Sequence, residues 1–283
     1  MHTEPILSFP LFGHQFNIYL YGLFIGLGIV ACIILLFVYT SKMGMPEKVQ
    51  DYAFFVGIVA IAFGFLAAKF YQAVYNWIGS GFTKFDFYGA GITAMGGFIG
   101  GAGAFLLVYF LVGKYYFKGK SLGLHKKHFN TILLVAPICV TIAHAFGRIG
   151  CLFAGCCHGK FISYQSGNGG LLMEGSKGLG YYIPVQLYEA LFLFALTAIL
   201  SLLYFKRCNV THVIYLVSYG VWRMIIEFFR SDTRVVVSNG VKSIFDILSP
   251  SQWQSIFFIL GGLALLIIYK VKKIPLFLPK ERE

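Results

Sequence analysis

Residues 17–40, NIYLYGLFIGLGIVACIILLFVYT, run for 24 positions without an Asp, Glu, Lys, Arg or His. As a helix such a run is about 36 Å long, enough to cross a hydrocarbon core of about 30 Å. Lipid offers the backbone no hydrogen bonds, so a spanning segment must be a helix or a strand of a closed barrel. The apolar residues here do not alternate with period two, which argues against barrel strands and predicts a helix. The rest of the chain reads the same way. Of its 283 residues 58% are hydrophobic and only 12% charged, with a mean hydropathy of +0.76. A soluble domain carries about 25% charged residues, so half of the usual solvated surface is missing.

Seven spans are predicted, at about 17–40, 51–75, 88–117, 129–150, 185–205, 211–230 and 253–271. The fold class is therefore all-α, a polytopic membrane protein forming one transmembrane domain over residues 1–283. Lys and Arg are distributed unevenly between the two sets of loops. The loops 41–50, 114–128 and 206–210 and the tail after 269 carry fourteen, and the other side carries seven. The positive-inside rule puts the N-terminus outside and the C-terminus in the cytoplasm. The longer connections, 151–184 and 231–252, then lie on the outer face, where they are expected to be ordered loops with short helices.

The net charge of +12 is dispersed among the loops rather than gathered in one patch, which argues against nucleic acid as a partner. Six cysteines are too few and too clustered for a disulfide scaffold. The first 16 residues contain no Lys or Arg, and the run that follows is too long for a signal h-region, so no cleavable signal peptide is expected. Gly is abundant within the spans, densest at Gly96, Gly97, Gly100, Gly101 and Gly103. In lipid, small residues let helix backbones approach closely, and packing is the first reading of these positions.

Against this background a few ionisable residues stand out inside the apolar runs: Lys69, His144, Arg148, Glu189, Arg223 and Glu227, with Arg230 at a span's end. A charge at the bilayer centre costs about 2.5–3.5 kcal/mol on insertion scales, so it is normally paired or lines a cavity. Arg223 and Glu227 are four apart and share one helix face, and Arg230 continues the stripe outward. One reading is an ion pair that joins helices, such as Glu189 with Arg223 or Lys69. The cations outnumber the two buried carboxylates, however. The surplus fits a phosphate-bearing lipid headgroup, which guanidinium binds through a rigid fork. His144 alone reads as a packing residue.

The second constellation is Gly147-Arg148-Ile149-Gly150-Cys151-Leu152-Phe153-Ala154-Gly155-Cys156-Cys157-His158-Gly159. Three readings of its thiols stay open. Cysteines pack as small residues or form a disulfide on an oxidising face. A thiolate beside Arg148 is nucleophilic. Three Cys and a His can ligate zinc, although CxxC spacing is absent and adjacent cysteines do not readily face one tetrahedral site.

Taken in order, these segments resemble the prolipoprotein diacylglyceryl transferase family over most of the chain. Tyr21-Gly22 resembles the Tyr-Gly pair opening its first span, and Ala68-Lys69 its Gly-Arg at the end of the second. Gly91 to Gly100, GITAMGGFIG, is similar to its segment ending His-Gly-Gly-x-Ile-Gly. Gly147-Arg148-Ile149-Gly150 matches the start of its Gly-Arg-x-Gly-Asn-Phe-x-Asn-Gly-Glu. Pro184-Val185-Gln186-Leu187-Tyr188-Glu189 resembles its His-Pro-x-Gln-Leu-Tyr-Glu. Arg223 with Glu227-Phe228-Phe229-Arg230 resembles its Arg-x-x-x-Glu-Phe-x-Arg. Five positions depart from the pattern. Met95 and Ile183 stand where the family has histidines. Cys151 and Ala154 replace Asn, and Cys156 replaces Glu.

The resemblance implies a multi-pass enzyme of the bacterial cytoplasmic (inner) membrane. It would move the diacylglyceryl group of phosphatidylglycerol onto the lipobox cysteine of a prolipoprotein, with no metal and no diffusible cofactor. The partners implied are an anionic phospholipid and a prolipoprotein signal-peptide region, and the chain is expected to act as a monomer. Arg148, Arg223 and Glu227 are the implied catalytic group, and Cys151 and Cys156 join it as candidates on their thiol chemistry. Tyr21, Lys69, Gly96, Gly97, Gln186, Tyr188, Glu189 and Arg230 are the implied substrate-binding positions. Cys151, Cys156 or Cys157 is also a candidate covalent way-station. The alternatives are a lipid-binding protein without catalysis and a thiol redox or zinc protein built on residues 151–158.

Overall fold

Each apolar run becomes a helix in the computed structural model, which describes residues 5–11, 14–175, 177–230 and 248–278. The helices are α1 (Leu20–Lys42), α2 (Glu47–Gly79), α3 (Ala94–Tyr116), α4 (Leu124–Phe153), α5 (Val185–Phe205), α6 (Thr211–Glu227) and α7 (Pro250–Val271). All but α6 are long and apolar enough to cross a membrane, six among the described residues. The exception, α6, has 17 residues, about 26 Å of rise, and it carries Arg223 and Glu227. Large side chains on one face of α1, Leu23, Leu27, Val30 and Ile34, are exposed. They recur at helical spacing, and a continuous apolar stripe of this kind fits lipid rather than water.

Several ends differ from the expected spans for local reasons. Strands β1 (Leu7–Leu11) and β2 (His14–Ile18) form an antiparallel hairpin, so α1 starts after residue 17. The start of α3 falls at Ala94 rather than 88, because the chain before it turns back on itself. There the Gly89 N–H donates to Asp86 Oδ1 at 2.8 Å, an Asx-type turn that competes with helix. The start of α7 falls before 253 because Ser249 caps it. Its hydroxyl accepts from the Gln252 N–H, the Gln252 side chain accepts from the Ser249 N–H, and Pro250 fills the first helical position.

Beyond the end of α4, the described residues of the connection 151–184 hold no short helix, contrary to expectation. They form a three-stranded antiparallel sheet of β3 (Phe161–Ser163), β4 (Leu171–Gly175) and β5 (Gly178–Tyr182), in the order β3-β5-β4. Gly167, Gly169 and Gly178 adopt positive φ at its turns, where a Cβ is disfavoured. Phe161, Tyr181 and Tyr182 supply the aromatic content that suits strands. Lys160 N–H donates to Phe229 O at 2.9 Å, tying this segment to the residues just past α6, and within the connection Gly159 N–H donates to Ile183 O at 2.8 Å. Of the second outer connection, residues 231–247, with Arg234 and Lys242, lie outside the described residues.

Contacts divide the chain into two compact units, Leu36–Ile132 and Met1–Leu35 with Leu133–Glu283. In the first, α2 and α3 pack through small residues. A Cβ on Gly64 would meet Gly97 O at 3.2 Å, and one on Gly101 would meet Ala60 O at 3.3 Å. An aromatic cluster around Tyr52, Tyr109 and Phe117 closes one end, and the Tyr52 hydroxyl donates to Val108 O at 2.9 Å. In the second unit, interhelical hydrogen bonds join the apolar contacts. Thr197 Oγ1 donates to Thr141 Oγ1, and Thr211 Oγ1 to Leu134 O, both at 2.8 Å.

Candidate functional site

The second unit gathers most of the ionisable residues singled out above. Helical spacing sets His144, Arg148 and Cys151 on one face of α4. The same rule sets Tyr219, Arg223 and Glu227 on one face of α6. Glu189 projects from the second turn of α5 and is 1% exposed. Its Oε2 lies 2.9 Å from Arg148 Nε and 3.8 Å from Arg223 Nη1. The Arg148 contact lies off the N–H direction, so it is an ion pair rather than a linear hydrogen bond. On its other oxygen, Glu189 accepts from the Tyr219 hydroxyl at 3.3 Å and has His144 Nε2 at 3.8 Å.

Glu227 forms a second node. Its Oε2 is 3.1 Å from Arg223 Nη2 and 3.7 Å from Arg230 Nε, while Ser249 Oγ donates to its Oε1 at 2.8 Å. Arg223 Nη2 also donates to Ser251 Oγ at 2.9 Å. Arg223 thus bridges two carboxylates, and the chain of contacts runs from Arg148 to Arg230. Among the described residues of this unit it joins Arg148, Arg223 and Arg230 to Glu189 and Glu227 in a largely buried setting. Buried charge needs a partner, and here guanidiniums and carboxylates partner one another.

The thiols lie at and just past the C-terminal end of α4. Sγ atoms of Cys151, Cys156 and Cys157 all fall within 4.8 Å of one another. The adjacent pair does converge with Cys151, contrary to the sequence expectation, because Cys157 adopts a left-handed φ of 60°. Hydrogen bonds from Cys151 and Cys156, with the Arg148 and Arg230 guanidiniums behind them, hold the Cys157 thiol below the ordinary thiol range. Gln186, fully buried at the start of α5, donates from Nε2 to Cys156 O at 2.6 Å and so anchors this loop. Tyr21 packs on α4 here. A Cβ on Gly150 would meet Tyr21 Cδ2 at 3.2 Å.

Other expected positions are placed elsewhere. Tyr188 is largely exposed on α5. Lys69, Gly96 and Gly97 belong to the other unit. There Lys69 Nζ stands 5.7 Å from the Phe87 ring centroid, a cation–π distance. Gly96 is packed against α2, where a Cβ would meet Tyr71 Cβ at 2.6 Å and Ala67 O at 2.9 Å. Met95 lies in the first turn of α3, its side chain outside the described residues. Ile183 joins the sheet to α5, its N–H donating to Lys160 O at 3.0 Å.

Sequence reasoning read His144 as a packing residue and gave no role to Tyr219, Ser249 or Ser251. The i, i+4 spacing of His144 and Arg148 signals the first, and of Tyr219 and Arg223 the second. For the serines, the signal is the capping pattern Ser249-Pro250-Ser251-Gln252, which places α7's first turn beside Glu227.

Comparison with known proteins adds an independent line. A family model described as prolipoprotein diacylglyceryl transferase matches residues 9–268. A protein of Clostridium tetani (strain Massachusetts / E88), named phosphatidylglycerol–prolipoprotein diacylglyceryl transferase, is 35% identical over 279 residues, covering 95% of this chain and 99% of its own. One from Clostridium perfringens (strain 13 / Type A), with the same name and the number 2, is 30% identical, over 90% of this chain and 93% of its own. A third, from Clostridioides difficile (strain 630), is 28% identical over 80% and 84%.

Proposed function

Because this chain belongs to the prolipoprotein diacylglyceryl transferase family, we propose that it transfers the diacylglyceryl group of phosphatidylglycerol to a prolipoprotein cysteine thiol, as a monomer in the bacterial cytoplasmic membrane. The observation that carries the reading is the convergence of three guanidiniums, Arg148, Arg223 and Arg230, on the two buried carboxylates Glu189 and Glu227. Guanidinium forks of this kind suit a phosphodiester. Arg148, Arg223 and Arg230 are the headgroup ligands, and Glu189 and Glu227 hold their guanidiniums in place. Tyr21, Gln186 and Tyr188 are proposed to shape the rest of the lipid and acceptor path in this unit, and Lys69, Gly96 and Gly97 are proposed as substrate-binding positions of the other unit.

In the transfer, the acceptor sulfur forms a bond to the terminal glyceryl carbon of the diacylglyceryl group. The bond from that carbon to the phosphate oxygen breaks, and its electron pair stays on the oxygen. The thiol proton balances the departing glycerol phosphate, and a thioether remains. Negative charge grows on the phosphate as the bond breaks, so guanidiniums already aimed at it stabilise the transition state more than the ground state. Cys151 and Cys156 flank this point on Arg148's own helix face and turn. No diffusible cofactor enters the step as written.

Native mass spectrometry of the detergent-solubilised protein tests the headgroup assignment. The wild type is expected to retain phosphatidylglycerol in preference to zwitterionic phosphatidylcholine, and the Arg148→Ala/Arg223→Ala double variant to lose that preference. Equal preference in both proteins overturns the assignment. Phosphatidylglycerol bound without transfer to any thiol favours instead a lipid-binding protein, the reading to which Met95 and Ile183 point.

A further inference from the structure

Residues 151–157 close α4 with a Schellman motif. Cys156 N–H donates to Cys151 O at 3.2 Å and Gly155 N–H to Leu152 O at 3.2 Å, with Gly155 in the left-handed region at φ 70°. In this motif the residue just past the turn folds back over the residue five positions earlier, usually as a hydrophobic contact. Here both positions are cysteine. The turn itself therefore explains the five-residue spacing that fits no CxxC pattern.

A second left-handed residue follows at Cys157, φ 60°, where a side chain is disfavoured. This conformation turns the third sulfur toward the other two, so that all three lie within 4.8 Å of one another. Gln186 fixes the loop from α5 through the Cys156 carbonyl. A left-handed non-glycine residue on the segment that gathers sulfur needs a reason beyond packing.

We propose that Cys151, Cys156 and Cys157 form a three-thiolate site for a soft, thiophilic d10 cation of the Zn2+ or Cu+ class. Metal–sulfur bonds of about 2.3 Å place sulfurs about 4 Å apart, so the trio needs to close by less than about 1 Å. Soft thiolates select such cations over Mg2+ or Ca2+. Each thiol gives up its proton to solvent on binding, leaving the filled site anionic: three thiolates exceed the cation's charge. Arg148, three residues before Cys151, and Arg230, tied to the same loop by its backbone bridge to Gly159, offset that charge. The site stands whether or not the protein transfers lipid, and its test does not read lipid transfer.

Cd2+ is a suitable probe, because thiolate-to-cadmium charge transfer absorbs in the near ultraviolet. The full chain in detergent, reduced with a phosphine and desalted, is expected to saturate at one Cd2+ per chain. Replacing Cys151, Cys156 or Cys157 singly by Ser should weaken binding by about tenfold or more, while Cys32→Ser should leave the titration unchanged. The wild-type titration decides the matter without any variant. Fully reduced protein that shows no charge-transfer band, or whose band survives in all three Ser variants, overturns the site. A disulfide among the three thiols that re-forms in the presence of Cd2+ also overturns it.

Discussion

The contact between α2 and α3 and the cluster on α4, α5 and α6 are both buried, yet they bury opposite things. In the first, backbone meets backbone: Gly64, Gly97 and Gly101 sit against carbonyls and Cα atoms, and Gly100 sits against Ala67. In the second, three guanidiniums and two carboxylates take the place of apolar side chains. Close packing of small residues is a favourable end in itself inside a membrane. A buried cluster of charges is not, since desolvating charge opposes folding. The first region accounts for how α2 and α3 associate, and the second has the chemistry of a binding site.

The sharpest way to break this contrast is to remove Glu189. Glu189→Ala leaves Arg148 and Arg223 without their shared carboxylate, at a cost of about 3–5 kcal/mol. Thermal unfolding in detergent should show a large drop, and glycerol phosphate release should vanish. An unchanged melting temperature would mean that the carboxylate does not organise the cluster.

Arg148→Lys is expected next in size for activity and small for stability. It keeps the charge but loses the planar fork, so transfer should fall by about 10²–10³. Gly100→Val should behave in the reverse manner. A Cβ there runs into Ala67, which costs about 1–3 kcal/mol of stability, while activity per folded molecule stays at the wild-type level. Comparable losses of activity in both variants would dissolve the distinction between the two regions. The smallest effect is expected of Ser249→Ala. It removes an N-cap worth about 1 kcal/mol and the hydrogen bond to Glu227, and should raise KM more than it lowers kcat.

Much of this was legible in the sequence for definite physical reasons. Long uncharged runs fix the helices, because nothing else satisfies a backbone in lipid. Arg148, Glu189, Arg223 and Glu227 stand out because charge is so rare there. The sheet after α4 was not legible. Its strands are three to five residues long and interrupted by glycines, too short for a periodic signal. Nor was the convergence of adjacent cysteines, which depends on a positive φ at a non-glycine residue. The role of His144 was hidden for a third reason. Its partner Glu189 is 45 residues away in sequence (144 to 189) and meets it only when α4 and α5 pack.

The most direct test uses phosphatidylglycerol labelled in its glycerol headgroup, together with a peptide carrying a lipobox cysteine. The purified protein should release labelled glycerol phosphate in step with thioether formation on the peptide, and the Arg148→Ala/Arg223→Ala variant should release none. Phosphatidylglycerol that binds and is retained intact with the peptide present would contradict the account, and would leave the cluster as a lipid-binding site without chemistry.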